Sequence, residues 1–153
     1  DLIRIEPPIN TIVTTAFFRS KNGFTIESRA DLADKSVGIV RGIVHARRVA
    51  AGVDDLIEVA RPKQLYLMLK SDRIDVAVHG AFGSRAEVDQ LQDEGVFLMQ
   101  VKVGASDSHH FLRKSFHQEA AVISVVLSSM VSTGEFSRLF QEERTRLIAG
   151  SKE

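Results

Sequence analysis

The sequence has 153 residues, a length that suits one ordinary domain with a buried core. Its 20 basic and 20 acidic residues cancel, so no broad basic field favours binding to nucleic acid or to an anionic membrane. Cysteine is absent, which excludes thiol catalysis, thiolate metal sites and disulfides without fixing the cellular compartment.

The first part of the chain alternates short apolar runs with segments of helical spacing. β-branched and aromatic residues predict strands at 11–19, 37–41 and 55–60. A capping box at residues 28–31 predicts one helical turn between the first two strands. Arginines and alanines at helical spacing predict a helix at 43–51, directly after Gly42.

The second part continues this alternation and ends in two helices. Further strands are predicted at 74–79, 96–103 and 109–113, with a turn at 104–107. Helices are predicted at 62–70, 84–93, 117–132 and 135–149. Pro62 suits the first position of its helix, and Ser84 with Glu87 forms a second capping box. Gly134 separates the last two helices.

Strands that alternate with helices predict an α/β fold, with a mostly parallel mixed sheet flanked by helices. Ligands of such sheets lie beyond the carboxyl ends of the strands. Gly42 and Gly80 each follow the end of a predicted strand. We therefore expect both turns to line one crevice.

Three segments, in the same order along the chain, resemble motifs of one protein family. They are DLADKSVGIVRG at 31–42, MLKSDRIDVAVHG at 68–80 and SMVSTGEFSRLFQE at 129–142. The family is that of bacterial extracellular solute-binding proteins of the polar amino acid type. The resemblance implies a type II periplasmic-binding-protein-like fold, in which two α/β lobes joined by a two-stranded hinge bind a solute between them.

The resemblance also implies a division of the chain. Residues 15–107 resemble the second α/β lobe, 1–14 a part of the first lobe with the hinge, and 108–153 the return crossing and the C-terminal helices. The first lobe is thus expected to be largely absent. The apolar helix at 117–132 would then need another partner, so we expect a homo-oligomer or exchanged elements.

The candidate solute site lies at the turns that follow two strands. The residues expected to bind the ligand are Arg41, Gly42, Ile43, Val44, His79 and Gly80. In amino-acid-binding members of the family, a Thr or Ser stands where this chain has Ile43, and an Asp stands where it has Gly80. Both differences remove a polar partner that a buried zwitterion needs. Backbone amides near Gly42 and the guanidinium of Arg41 remain to hold an anion.

The resemblance implies a solute-binding module of an ABC-type uptake system or of a periplasmic sensor, located in the periplasm or elsewhere outside the cytoplasm. Its expected partners are a small polar or anionic solute and a membrane permease or receptor, with no nucleic acid. No cofactor is expected, and no metal site, because the spacings of the histidines match no ligand signature.

Two other functions on the same scaffold remain open. One is a dehydratase-like enzyme with His79 as its acid or base, and the other is the effector-binding domain of a transcription regulator. Neither a nucleophile elbow nor a phosphate-binding P-loop occurs in the sequence. We therefore expect a binding protein rather than an enzyme.

Overall fold

The computed structural model describes residues 1–81 and 84–150, apart from the side chains of residues 144 and 147–150. The chain forms two compact units. The sheet unit contains Ile12–Ser106, and the helical unit contains Asp1–Thr11 together with the chain from Asp107 onward. Each unit has its own core.

The described residues form seven strands and five α-helices. The strands are β1 (Leu2–Arg4), β2 (Asn10–Arg19), β3 (Val37–Val40), β4 (Leu56–Val59), β5 (Val76–Gly80), β6 (Leu98–Ser108) and β7 (Phe111–Arg113). The helices are α1 (Val44–Val49), α2 (Pro62–Lys70), α3 (Arg85–Asp93), α4 (His117–Ser132) and α5 (Glu135–Gly150).

The sheet unit is built on a mixed sheet of five strands in the order β4-β3-β5-β2-β6. β3 runs parallel to both of its neighbours, β4 and β5, whereas β2 pairs with β5 in the antiparallel sense. Parallel strands joined through helices need both faces of the sheet covered. This confirms the expected mixed α/β sheet flanked by helices.

Both faces of the sheet carry apolar side chains, because β3 and β5 are buried throughout most of their length. Val37 and Ile39 point to the face covered by α1, in one cluster with Ala46. The opposite face packs against α2, whose Leu65, Tyr66 and Leu69 are buried. The central strands are therefore fixed from both sides.

Gly38 lets α2 approach β3 closely. A Cβ added at this position would lie 2.6 Å from Cδ1 of both Ile74 and Leu65. Gly104 has a similar role on the other face, where an added Cβ would lie 2.8 Å from Cγ2 of Val49 in α1. The predicted turn at 104–107 is wrong, since β6 continues through Gly104 to Ser108. This glycine serves packing rather than a turn.

The two predicted capping boxes have different outcomes. The box at Ser28 and Asp31 is confirmed, and it opens a short 3-10 helix at Arg29–Leu32. The box at Ser84 is wrong, because the Ser84 side chain makes no capping hydrogen bond at the start of α3. Its hydroxyl group instead donates to the Gly80 carbonyl, 2.8 Å away.

The helical unit contains a two-stranded antiparallel pair, β1 with β7, and the helices α4 and α5. Its small core is formed by Ile5, Ala120 and Leu127. The resemblance places His109 in the return crossing between the lobes. In the structure, its Nε2 lies 3.1 Å from a carboxylate oxygen of Glu6.

Much of the apolar surface of α4 is exposed. Val122, Val125 and Val126 have exposed fractions of 64%, 71% and 51%. The expected association through this helix stays a prediction.

No single helix in the described residues is long and apolar enough to cross a membrane. The segments Lys114–Ser132 and Glu135–Glu143 reach that length and composition only when they are taken together, and an 84° bend separates them.

Candidate functional site

The carboxyl ends of β3, β4 and β5 form one edge of the sheet, beside the start of β2. The Arg41 amide donates to the Val59 carbonyl over 2.8 Å, which aligns the ends of β3 and β4. Thr14 of β2 lies opposite Gly80 in the antiparallel register. The two turns expected to line a crevice therefore follow neighbouring strands at this edge, which we call the ligand edge.

The backbone of the turn after β3 depends on glycine. Gly42 has φ +83°, in the left-handed region that favours glycine over residues with a side chain. Ile43 follows at the N-cap of α1 without a side-chain capping bond, and its amide donates to the Val40 carbonyl over 3.2 Å. Val44 is 69% exposed. Neither Ile43 nor Val44 brings a polar side chain to the turn.

Arg41 is exposed at the end of β3 and belongs to a small group of charges. Its Nε lies 3.7 Å from a carboxylate oxygen of Glu58 on β4, and Arg47 of α1 contacts the same carboxylate more closely. Exposed ion pairs of this kind add little stability. Since Arg47 already neutralises Glu58, the Arg41 guanidinium remains available to an anionic ligand.

His79 is anchored on the face of the sheet opposite to Gly80, because successive strand residues point to opposite sides. Its Nδ1 lies 2.8 Å from the buried hydroxyl oxygen of Ser84. Since Ser84 donates its own proton to the Gly80 carbonyl, the neutral His79 ring carries its proton on Nδ1. Burial lowers the pKa of His79, although the negative charge of Glu87 acts in the opposite direction.

Tyr66 lies in the same layer as His79. Burial raises the pKa of its phenol, and the nearby Ser84 hydroxyl acts in the opposite direction. In the described part of the chain, the Tyr66 oxygen has no partner at good hydrogen-bond geometry. The ring packs edge-on against Phe17, with the centroids 5.7 Å apart. Both features indicate a structural role for this tyrosine.

His45 is a polar residue of the ligand edge that is not among the ligand-binding residues expected from the sequence. It is the second residue of α1, and its Nδ1 lies 3.0 Å from Oγ1 of Thr14. Burial lowers the pKa of His45, and the nearby His79 lowers it further. The signal in the sequence was its place one helical turn after Gly42, but its contact with Thr14 is visible only in the folded chain.

The sequence matches no known family model and no curated protein. The fold, however, is similar to those of solved structures. A variant of ArgBP from T. maritima has a TM-score of 0.72 at 19% identity, over 92% of this chain and 61% of that one. The amino acid ABC transporter substrate-binding protein AbpA from Streptococcus pneumoniae, bound to L-arginine, has a TM-score of 0.71 at 16% identity, over 94% and 61%.

An arginine 3rd transport system periplasmic binding protein from Legionella pneumophila gives a TM-score of 0.68 at 17% identity, over 92% of this chain and 64% of that one. All three matched structures are of binding proteins. This chain spans about three fifths of their length. It therefore has the α/β fold of periplasmic-binding-protein lobes, with one of the two lobes only partly represented.

Proposed function

We propose that this chain is a solute-binding module that binds a small polar or anionic solute at the ligand edge. The observation that carries the proposal is the edge itself. It joins a left-handed Gly42 turn, an exposed Arg41 guanidinium and a side-chain-free Gly80 at the ends of two neighbouring parallel strands. Sheets of this class bind their ligands at such an edge.

The contacts at the edge support an anionic solute. Arg41 offers a planar, permanently charged donor that suits a carboxylate. Ile43, Val44 and Gly80 add no charge of their own, and the Glu58 carboxylate is already paired. His79 would act beside this site by anchoring α3 to β5 through Ser84, rather than as the main ligand contact.

The fold suggests the wider setting of this module. In this proposal residues 15–107 are the second lobe, and residues 1–14 and 108–153 belong to the hinge, the first lobe and the C-terminal helices. The module would serve an ABC-type permease or a receptor, outside the cytoplasm. Support comes from the substrate-binding and periplasmic binding proteins that share the fold.

Native mass spectrometry followed by a thermal-shift screen tests the proposal. We expect the purified chain to retain a small molecule, or to gain thermal stability with a member of a panel of amino acids and organic acids. A ligand at about 100 times its Kd stabilises a protein by about 2.7 kcal/mol, which raises Tm by several degrees. No retained mass and no shift with any compound would refute the proposal.

A matched pair of variants links that binding to the ligand edge. Arg41→Ala removes the exposed guanidinium, and Arg113→Ala removes another exposed arginine from the helical unit. We expect the first variant to weaken binding of an anionic ligand by about tenfold or more, as for the loss of a charge-assisted hydrogen bond. The second should bind like the unmodified chain. Equal affinities would place the solute elsewhere.

A further inference from the structure

The Thr14–His45 pair brings a fixed imidazole to the ligand edge. Thr14 is only 1% exposed, and its Oγ1 lies 3.0 Å from Nδ1 of His45. The ring itself is half-buried. Among the residues that the structure describes, no hydrogen-bond partner meets its other nitrogen, Nε2. Thr14 thus orients the ring and leaves one nitrogen for a ligand.

Gly80 provides the space that this ring occupies. A Cβ added at position 80 would lie 3.5 Å from Cε1 and 3.7 Å from Nε2 of His45. A methyl group fits at that distance, but a longer side chain would compete with the imidazole for the same space. At the end of β5, Gly80 therefore borders the His45 ring, at the position where the sequence analysis gave an Asp for amino-acid-binding members of the resembled family.

The charges around this position disfavour an ammonium group. Within the described residues of the edge, the acid at the end of β4 is Glu58, which contacts both Arg41 and Arg47. An α-ammonium group placed near His45 would meet the imidazole ring, and the Glu58 carboxylate of this edge is already paired with Arg47. Burying a charge without its partner is costly.

We propose that His45 binds a carboxylate group of the solute, and that the solute is an organic acid without an α-ammonium group. This inference rests on the proposed function and names the solute class. In the neutral ring, the Thr14 hydroxyl donates to Nδ1 and the Nε2–H donates to the carboxylate. In the protonated ring, Nδ1–H donates to Thr14, and Nε2–H remains directed at the ligand.

Binding of the acid is coupled to protonation of His45. Thr14 of β2 contacts the ring directly, and His79 of β5 acts on it only through its charge from the opposite face of the sheet. Arg47 on the same helix is paired with Glu58. Burial and then His79 hold the pKa of free His45 below its usual value. A bound carboxylate raises the pKa again, so binding takes up a proton between the two pKa values. Affinity is highest at low pH and falls as pH rises through that range.

Titrations of the 153-residue chain followed by NMR test this inference. The probes are two matched pairs, succinate with L-aspartate and glutarate with L-glutamate, which differ only by the α-ammonium group. We expect at least one dicarboxylate to bind roughly tenfold tighter than its amino counterpart. The pKa of His45, read from its ring protons, should rise by about one unit at saturation, which corresponds to about tenfold tighter binding of the dicarboxylate by the protonated ring than by the neutral one.

A variant of His45 tests whether its ring titrates when the ligand binds or serves only the structure of the site. His45→Gln retains an amide donor near the Nε2 position but cannot titrate. We expect it to bind the dicarboxylate at pH 8 and to lose the gain in affinity at pH 5.5. His110→Gln, which replaces an exposed histidine of the helical unit, should keep the pH dependence of the unmodified chain.

The possible failures are distinguishable. If L-arginine, L-glutamine or another amino acid binds and neither dicarboxylate does, the solute class is wrong and the binding function stands. The inference also fails if a dicarboxylate binds and the pKa of His45 does not move. If no amino acid or organic acid of the panel binds at all, the proposed function fails, and the inference fails with it.

Discussion

Replacing Gly38 with alanine should destabilise the sheet unit through crowding between β3 and α2. The new Cβ would lie 2.6 Å from two buried carbon atoms, one on Ile74 and one on Leu65. Carbon atoms at optimal contact are about 3.5–4.0 Å apart, so both side chains or the helix must shift by about 1 Å. Overpacking of this kind costs about 1–3 kcal/mol. Alanine also lowers the conformational entropy of the unfolded chain, which offsets about 0.4–1 kcal/mol of this cost.

We therefore expect Gly38→Ala to lower the free energy of unfolding by about 1–2 kcal/mol. With an m-value of about 1–3 kcal/mol/M, the urea midpoint should fall by roughly 1 M. The chain has one tyrosine and no tryptophan, and Tyr66 is buried on α2, so its fluorescence reports unfolding at the helix in question.

Two further variants give this measurement its control. Gly23→Ala adds a Cβ that meets nothing within 4 Å, and it should leave the midpoint almost unchanged. Ile74→Val removes one of the two crowded atoms, so its combination with Gly38→Ala should cost less than the sum of the single changes. Equal stability of Gly38→Ala and Gly23→Ala would show that α2 does not pack on β3 as described.

Three other changes test the ligand edge and its support. Gly42→Ala should cost about 1–2 kcal/mol in urea unfolding, because alanine is strained at φ +83°; an unchanged midpoint would mean that the turn adopts another conformation. Ser84→Ala should cost about 1–3 kcal/mol, because it leaves the His79 Nδ1–H without its partner, and Ser20→Ala serves as an exposed comparison. Stability should fall as pH drops below about 6.5, because the pKa of His79 is lower in the folded chain than in the unfolded one. A flat pH profile would contradict the burial of that ring.

The alternation of strands and helices was predictable because it depends on local patterns. The strands at 37–41, 55–60 and 74–79 overlap β3, β4 and β5, and Pro62 begins α2 as expected. The capping box at Ser28 also formed, since both of its partners lie within four residues. These features need no knowledge of what packs against them.

The predictions were wrong where residues distant in the sequence determine the role of a side chain or of a glycine. The Ser84 hydroxyl is taken by His79 and Gly80 of β5, so it is not available as a cap. Gly104 looked like part of a turn, but the approach of α1 requires a glycine inside β6. Neither of these long-range contacts leaves a local signal in the sequence.

The position of the candidate site was predictable from the sequence, but the contacts among its side chains were less so. The sequence placed Arg41, Gly42 and Gly80 at strand ends, and the sheet order brings those ends to one edge. It gave no reason to connect Thr14 with His45, which are 31 residues apart. The opposite orientations of His79 and Gly80 follow from strand alternation once the strand is known.

The exposed valines of α4 have a consequence for the behaviour of the protein in solution. The chain has zero formal net charge at pH 7, so its molecules lack the mutual repulsion that keeps many proteins apart. An exposed aliphatic helix face on a neutral particle favours weak, concentration-dependent attraction. Scattering data near pH 7 should therefore show attractive interparticle effects at high concentration, which weaken as the pH moves the net charge away from zero.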